Sequence, residues 1–400
     1  MSLRHRDKRH CTECLEENSP GITDQKQCRQ HVVLCYFFNN ASIAGFMHWV
    51  HHHSRDMKRP SVLHQTDLFR PHNDPDDHWD LACVYALAYQ GHLNLTGILI
   101  DFPYAEPGRN RAPDVLAVSQ LNYLTGIAVP VMTGARETFT SQPDPIGRDS
   151  AGAEFVLARL RHAQDGLVIN IVGSCRDIAV ALRRDPVLFR EKCLGIYLNA
   201  GMGARDSSVA QDVEWNVALD PLSYSAIFRA ECPVFWMPCF ENSMKSSVND
   251  PYRTREYATH YLFKQGEIFP SLSPSLRRYF AFMLARAEQS DWLWEILDDH
   301  RQAVVDVESG MCRNMWCTAG FLHSAGFGVG KNGEIKPYDA LKNDSVFCFE
   351  PVKITCDEKG VTKWQPDSQS ADRYLFHVLD CDNYCRAMTE AMRTLLAAIP

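Results

Sequence analysis

The chain has 400 residues, a net charge of −8, 45% hydrophobic and 22% charged residues. That composition belongs to a globular protein able to bury a sizeable core. The absence of a long basic run argues against a nucleic-acid-binding face, and the one moderately apolar early stretch, 32–50, is broken by Asn39, Asn40 and His48 and makes a poor membrane span.

Residues 1–56 are polar, rich in His, Cys and Arg, and show no regular period, so they read as a poorly structured N-terminal extension. Cys11 and Cys14 form a Cys-x-x-Cys, but Cys28 and Cys35 downstream are seven apart, not the second close pair of a zinc ribbon. His51, His52 and His53 read as a solvated loop. Met57 reads as a plausible true start, immediately before the first strand. The fifteen cysteines are odd in number and scattered through apolar runs. They predict buried free thiols and a cytoplasmic setting rather than a disulfide frame.

From residue 61 to about 240, strand-like runs (61–66, 95–101, 129–133, 167–172, 195–199 and 232–237) alternate with helical ones (112–125, 152–164, 176–184 and 221–229). Strict alternation predicts an α/β fold, a mostly parallel open sheet with helices on both faces. Residues 252–325 read as helical, with Tyr279, Phe280, Phe282, Trp292 and Trp294 as core or pocket wall. A β-hairpin is expected where 346–355 and 361–364 flank Asp357–Gly360, and a final helix over about 371–398. The expected organisation is one domain over 57–400: a sheet core (61–240), a helical part (250–330), then the hairpin and terminal helix (345–400).

The densest chemical signal is the segment 61–80. The first strand runs into Thr66 and Asp67, followed by Asp74, Asp76, Asp77 and Asp80, and then an apolar helical run. Open α/β sheets place ligand sites where strands end in this way. So many close carboxylates repel unless protons or a cation relieve them, and a hard cation bound through oxygen does so economically. Asp67 is the candidate general base and metal ligand, and Asp77 the second carboxylate ligand, with Asp76 as its substitute. Glu214 and Asn216, two apart, would share one side of an extended segment, and Asn199 ends a strand before Gly201. No nucleophile elbow, phosphate-binding loop or dinucleotide fingerprint is present.

The segment resembles the aspartate signature of the nucleoside hydrolase family, of the inosine–uridine preferring type. The resemblance continues in order through residues 95–100, 129–135, 167–186 and 195–203 to Glu214-Trp215-Asn216-Val217-Ala218-Leu219-Asp220-Pro221, spanning about 60–330. It implies a Rossmann-like core and a metal-dependent N-glycosyl hydrolase that cleaves ribonucleosides or related N-ribosides through an oxocarbenium-like sugar. It implies a calcium ion held by Asp67, Asp77 and the backbone carbonyl of Val172, ribose contacts from Asn199, Glu214 and Asn216, and a homodimer or homotetramer. His323 is its candidate proton donor to the leaving base. Three departures stand out. Eight residues, 68–75, separate Asp67 from the Asp76-Asp77 pair, leaving Asp74 as a compensating acid. Ser324 occupies the place of an expected Asp. After the second strand the available polar groups are Asp101 and Asn110. The rival reading is a noncatalytic nucleoside- or sugar-binding relative.

Overall fold

A computed structural model describes residues 59–68, 76–101, 113–139, 150–204, 213–241, 256–284, 296–297 and 310–400. The N-terminal extension with its Cys-x-x-Cys and histidine run, Met57, Asp74, Asn110, Trp292 and Trp294 lie outside these residues.

The first half follows the alternation read from the sequence. Strand β1 (Ser61–Thr66) leads to helix α1 (Asp76–Tyr89), β2 (Asn94–Ile100), α2 (Pro113–Thr125), β3 (Val131–Thr133), α3 (Ala151–His162) and β4 (Leu167–Ile171). Helices α4 (Arg176–Arg184) and α5 (Pro186–Lys192) precede β5 (Cys193–Asn199), and α6 (Trp215–Leu219) and α7 (Pro221–Ile227) precede β6 (Val234–Met237). Asp185 and Asp220 each cap a helix that begins with Pro, accepting hydrogen bonds from Leu188 N and Ser223 N.

The second half departs from the expectation twice. The region read as helical contains α8 (Gln265–Ile268) and α9 (Pro274–Leu284), but also an antiparallel ribbon, β7 (Tyr261–Lys264) with β8 (Cys312–Met315). Short amphipathic runs of four residues carry too little period to separate the two states. After α10 (Thr318–Ser324) come a small ribbon, β9 (Phe327–Val329) with β10 (Ile335–Pro337), α11 (Tyr338–Leu341), and the expected hairpin, β11 (Phe347–Cys356) with β12 (Thr362–Pro366). The hairpin turn needs its glycine. Gly360 has φ +82°, and a Cβ there would fall 2.3 Å from Val217 Cγ1, because the turn packs on α6. The final helix is shorter than expected. Residues Arg373–Val378 form β13, a buried strand, and α12 spans Tyr384–Leu396. Arg-Tyr-Leu-Phe-His-Val alternates weakly, and its β-branched and aromatic residues favour the sheet once β6 and β11 flank it.

The main sheet has nine strands in the order β12-β11-β13-β6-β5-β4-β1-β2-β3. From β13 to β3 every pairing is parallel; β11 and β12 add antiparallel strands at one edge. Alternate residues feed two cores. Val62, Ile98, Val168 and Phe235 face one, and Leu63, Leu99, Ile169 and Trp236 face the other. Tyr279 and Phe280 are fully buried as expected, and Phe280 stacks on Trp79 at 4.0 Å. No helix of the described residues is long and apolar enough to cross a membrane. From β1 the sheet grows through β2 to β3 in one direction, and from β4 through β5 and β6 in the other. The carboxyl ends of β1 and β4 therefore flank a topological switch point, where an open sheet leaves a crevice.

Candidate active site at the strand ends

Asp67 directly follows β1 at this switch point and is 1% exposed. Across the crevice, β4 ends in Val172-Gly173-Ser174. The Gln65 side chain ties the two ends together. Its Oε1 accepts from Val172 N (3.2 Å) and Gly173 N (3.1 Å), and its Nε2 donates to Ser174 O (2.9 Å). A Cβ at Gly173 would lie 3.0 Å from Asp67 Cβ and 3.1 Å from Asp101 Oδ2, so the strand end passes close against both acids.

Asp77, in the first turn of α1, reaches back to the strand end. Thr66 Oγ1 donates to its Oδ1 at 2.6 Å. Asp67 and Asp77 are themselves in hydrogen-bond contact. Burial raises the Asp67 pKa well above the ordinary carboxylate range, and the charges of Asp77 and then Asp101 raise it further; the indole of Trp215, donating to Asp67 Oδ2 at 3.1 Å, opposes them. Among the described residues, the groups acting on Asp67 are the acids Asp77 and Asp101 and the indole of Trp215. Asp76 is only half-buried, since neighbouring helix positions are about 100° apart. Its charge acts instead on the thiols of Cys239 and Cys317. Asp77 rather than Asp76 therefore meets Asp67. Asp80, one turn into α1, is fully buried; burial and then Asp77 push its carboxyl up, and Cys317 hydrogen-bonds to it.

Asp101 follows β2 and is bound by Ser174 twice, from N and from Oγ, each at 2.7 Å. Arg176 lies 3.8 Å from Asp101 and 3.5 Å from Asp220. Burial still lifts the Asp101 carboxyl to about 7, against the pull of Arg176 and Ser174.

Glu214 and Asn216 come to the same place, though not on an extended segment. Glu214 is the N-cap of α6, accepting from Asn216 N (2.9 Å) and Val217 N (3.3 Å), and also from Gly201 N (2.8 Å). Gly201 offers that amide from the left-handed region, at φ +85°. Asn216 Nδ2 donates to Val172 O (3.2 Å) and to Asn199 O (3.0 Å), bridging the ends of β4 and β5. The Val172 carbonyl implied as a metal ligand thus already accepts one hydrogen bond and keeps a second lone pair. Asn199 donates to Met237 O (3.0 Å) and Thr259 Oγ1 (3.1 Å), while its Oδ1 receives Cys317 Sγ at 2.9 Å and Cys239 Sγ at 3.7 Å. Burial pushes both thiols up, so they remain protonated.

His323 is not brought to this cluster. Helix α10 starts at the site, with Cys317 as its N-cap, and His323 lies six residues further on, about 9 Å along the axis. There its Nδ1 bonds Tyr197 OH at 2.8 Å, and Tyr338, Phe349 and Phe235 pack around the ring. Burial lowers its pKa to about 3, leaving a neutral core histidine. Ser324 donates to Phe321 O and takes no place beside Asp67. Nothing in the chain singled out Gln65, Cys239 or Cys317 as site groups. Trp215 offered one signal, a large aromatic between the polar Glu214 and Asn216, and it is 43% exposed in the fold.

Tested as a cation site, the donors fit a hard divalent ion in kind: two buried carboxylates in contact and one backbone carbonyl with a lone pair to spare.

No protein-family model and no curated protein matches this chain. Solved structures do. A plant nucleoside hydrolase, PpNRh1, is 11% identical, with a TM-score of 0.48 over 84% of this chain and 99% of its own. A purine-preferring ribonucleoside hydrolase from Gardnerella vaginalis is 15% identical, with a TM-score of 0.48 over 85% and 100%. The type III effector protein XopQ, solved with adenosine diphosphate ribose, is 14% identical, with a TM-score of 0.48 over 90% and 100%.

Proposed function

We propose that this chain hydrolyses the N-glycosidic bond of ribonucleosides or related N-ribosides with the help of a divalent cation. The observation that carries the proposal is the buried pairing of Asp67 with Asp77 at the switch point of the sheet, beside the Thr66 hydroxyl and the Trp215 indole. Asp67, Asp77 and the carbonyl of Val172 are the groups that would hold a calcium ion. When bound, the ion orients a water and lowers its pKa.

The remaining work falls to side chains. Asp67 takes the proton of the attacking water as its oxygen bonds to the anomeric carbon. The C–N bond breaks with oxocarbenium character at the sugar, and the departing base carries away the bonding pair and takes a proton from a solvent water at its nitrogen. Glu214 and the Oδ1 of Asn216 line the neighbouring strand ends and grip sugar hydroxyls, while Asn199, its own amide fully engaged, orients Asn216 through its backbone carbonyl. The exposed ring of Trp215 offers a flat apolar face to the base. His323 is not the proton donor of this scheme, since its neutral ring belongs to the aromatic core.

That missing acid favours one second reading, a noncatalytic nucleoside or sugar binder. Incubating the protein with a panel of nucleosides, with and without a chelator, and assaying free ribose separates the two. Chelator-sensitive release supports the hydrolase and ranks the bases. Calcium binding without release points to a different N-glycoside. Neither binding nor release leaves the binder.

A further inference from the structure

A second cluster of ligand side chains lies on the same sheet, away from the strand-end site. Cys348 and His377 are direct cross-strand partners in the antiparallel pairing of β11 with β13. Glu350, two residues along β11, shares the face of Cys348. His377 Nδ1 lies 4.0 Å from Cys348 Sγ and 2.7 Å from Glu350 Oε1. The three ligand atoms all fall within 4.8 Å of one another.

From these contacts we infer a zinc site formed by Cys348, Glu350 and His377, with a fourth position open to water. One sulfur, one imidazole nitrogen and one carboxylate oxygen are a donor set of borderline softness, suited to zinc and unlike the all-oxygen cage calcium wants. Tetrahedral bonds of zinc to such donors put the ligand atoms about 3.3–3.6 Å apart. Two of the observed pairs straddle that spacing, one long and one short, and the third lies within 4.8 Å, so side-chain movements of about half an ångström to one ångström close the site. Sheet pairing fixes both backbones, and Tyr257 stacks on the imidazole at 4.9 Å and 17°, which holds the ring plane. Trp364 packs behind Tyr257 at 4.8 Å. The His377 side chain is 7% exposed and that of Glu350 26%, so the cluster has a dry wall and one side open to an ion and its water.

This ion would be separate from any held by Asp67. Four strand spacings, about 19 Å, lie between β1 and β13. The site joins the last parallel strand to the antiparallel extension, so zinc would pin β11 to the parallel body of the sheet.

The test uses the full chain. Apo protein is loaded with cobalt as a spectroscopic stand-in, and in parallel with zinc, then dialysed. Cobalt in this site gives a thiolate-to-metal charge-transfer band. The band and about one equivalent of retained zinc are lost in Cys348→Ser and in Glu350→Gln, and survive in Asp67→Asn and Cys317→Ser. Zinc raises the melting temperature of the wild type and not of Cys348→Ser, whose metal-free melting matches the wild type. If a variant melts differently without metal, the other supplies the reading. A cobalt spectrum without the thiolate band, or equal zinc retention in wild type and both variants, overturns the assignment and leaves a plain His377–Glu350 hydrogen bond beside a thiol.

Discussion

Two groups of buried carboxylates stand side by side at the same end of the sheet, and they are balanced differently. Asp101 and Asp220 face the buried guanidinium of Arg176, which also donates to Leu219 O at 2.6 Å. Asp67 faces Asp77, another acid. The first group carries its own cation, which ties the ends of β2 and α6 to the start of α4. In the second, like charges meet in a buried place, which costs stability unless a proton or cation enters. Perturbed carboxylates of this kind cluster at functional sites.

The comparison can be broken from either side. Asp77→Asn removes one of the two carboxylates proposed for the ion. Calcium affinity and ribose release should both fall by about a hundredfold or more, with little change in melting. Arg176→Met leaves Asp101 and Asp220 buried without their cation and should cost about 3–5 kcal/mol in denaturant unfolding. If that variant is as stable as the wild type, the cation is not what ties these ends together.

Stability against pH sharpens the contrast. The folded pKa of Asp101 is raised, from 3.8 to about 7, so the folded state holds the proton more tightly than the unfolded chain. Without metal, stability is greatest at the acid end of this window and falls as pH rises from about 4 to about 7. Asp67 is raised too and adds to the same slope. On the proposed function a calcium ion would displace the proton at Asp67, so the gain in melting temperature on adding calcium should grow with pH. A slope of opposite sign in chelator would contradict the assignment.

Smaller effects come from the neighbours. Trp215→Phe removes a donor that lowers the Asp67 pKa, so the acid limb of the pH–rate profile should move to higher pH. His323→Phe keeps the aromatic packing and loses only the bond to Tyr197. It should cost about 1 kcal/mol of stability and leave turnover unchanged. A large loss of turnover there would restore His323 to the site.

Much of this was legible in the chain. The ends of β1 and α4 fall where the apolar runs end, because parallel strands buried on both faces leave no ambiguous alternation. Asp67, Asp77, Asn199, Glu214 and Asn216 were singled out because each ends or follows a strand or opens a helix, and the fold places them at the same end of the sheet. What the chain hid was partnership. Trp215 reaches Asp67 over 148 positions and Cys317 reaches Asn199 over 118, and no local spacing reports such contacts. His323 shows the converse. Its local match to a motif was good, but helix pitch carried it into the aromatic layer. The strand at Arg373–Val378 was missed because its place in the sheet depends on β6 and β11, not on its own propensity.

The most direct measurement compares ribose release by wild type and Asp67→Asn at saturating calcium, with both proteins checked for equal melting. The account predicts turnover by the wild type and a loss of at least about a hundredfold in the variant. Equal turnover by the two proteins would contradict it, because the proton of the attacking water would then have to go elsewhere.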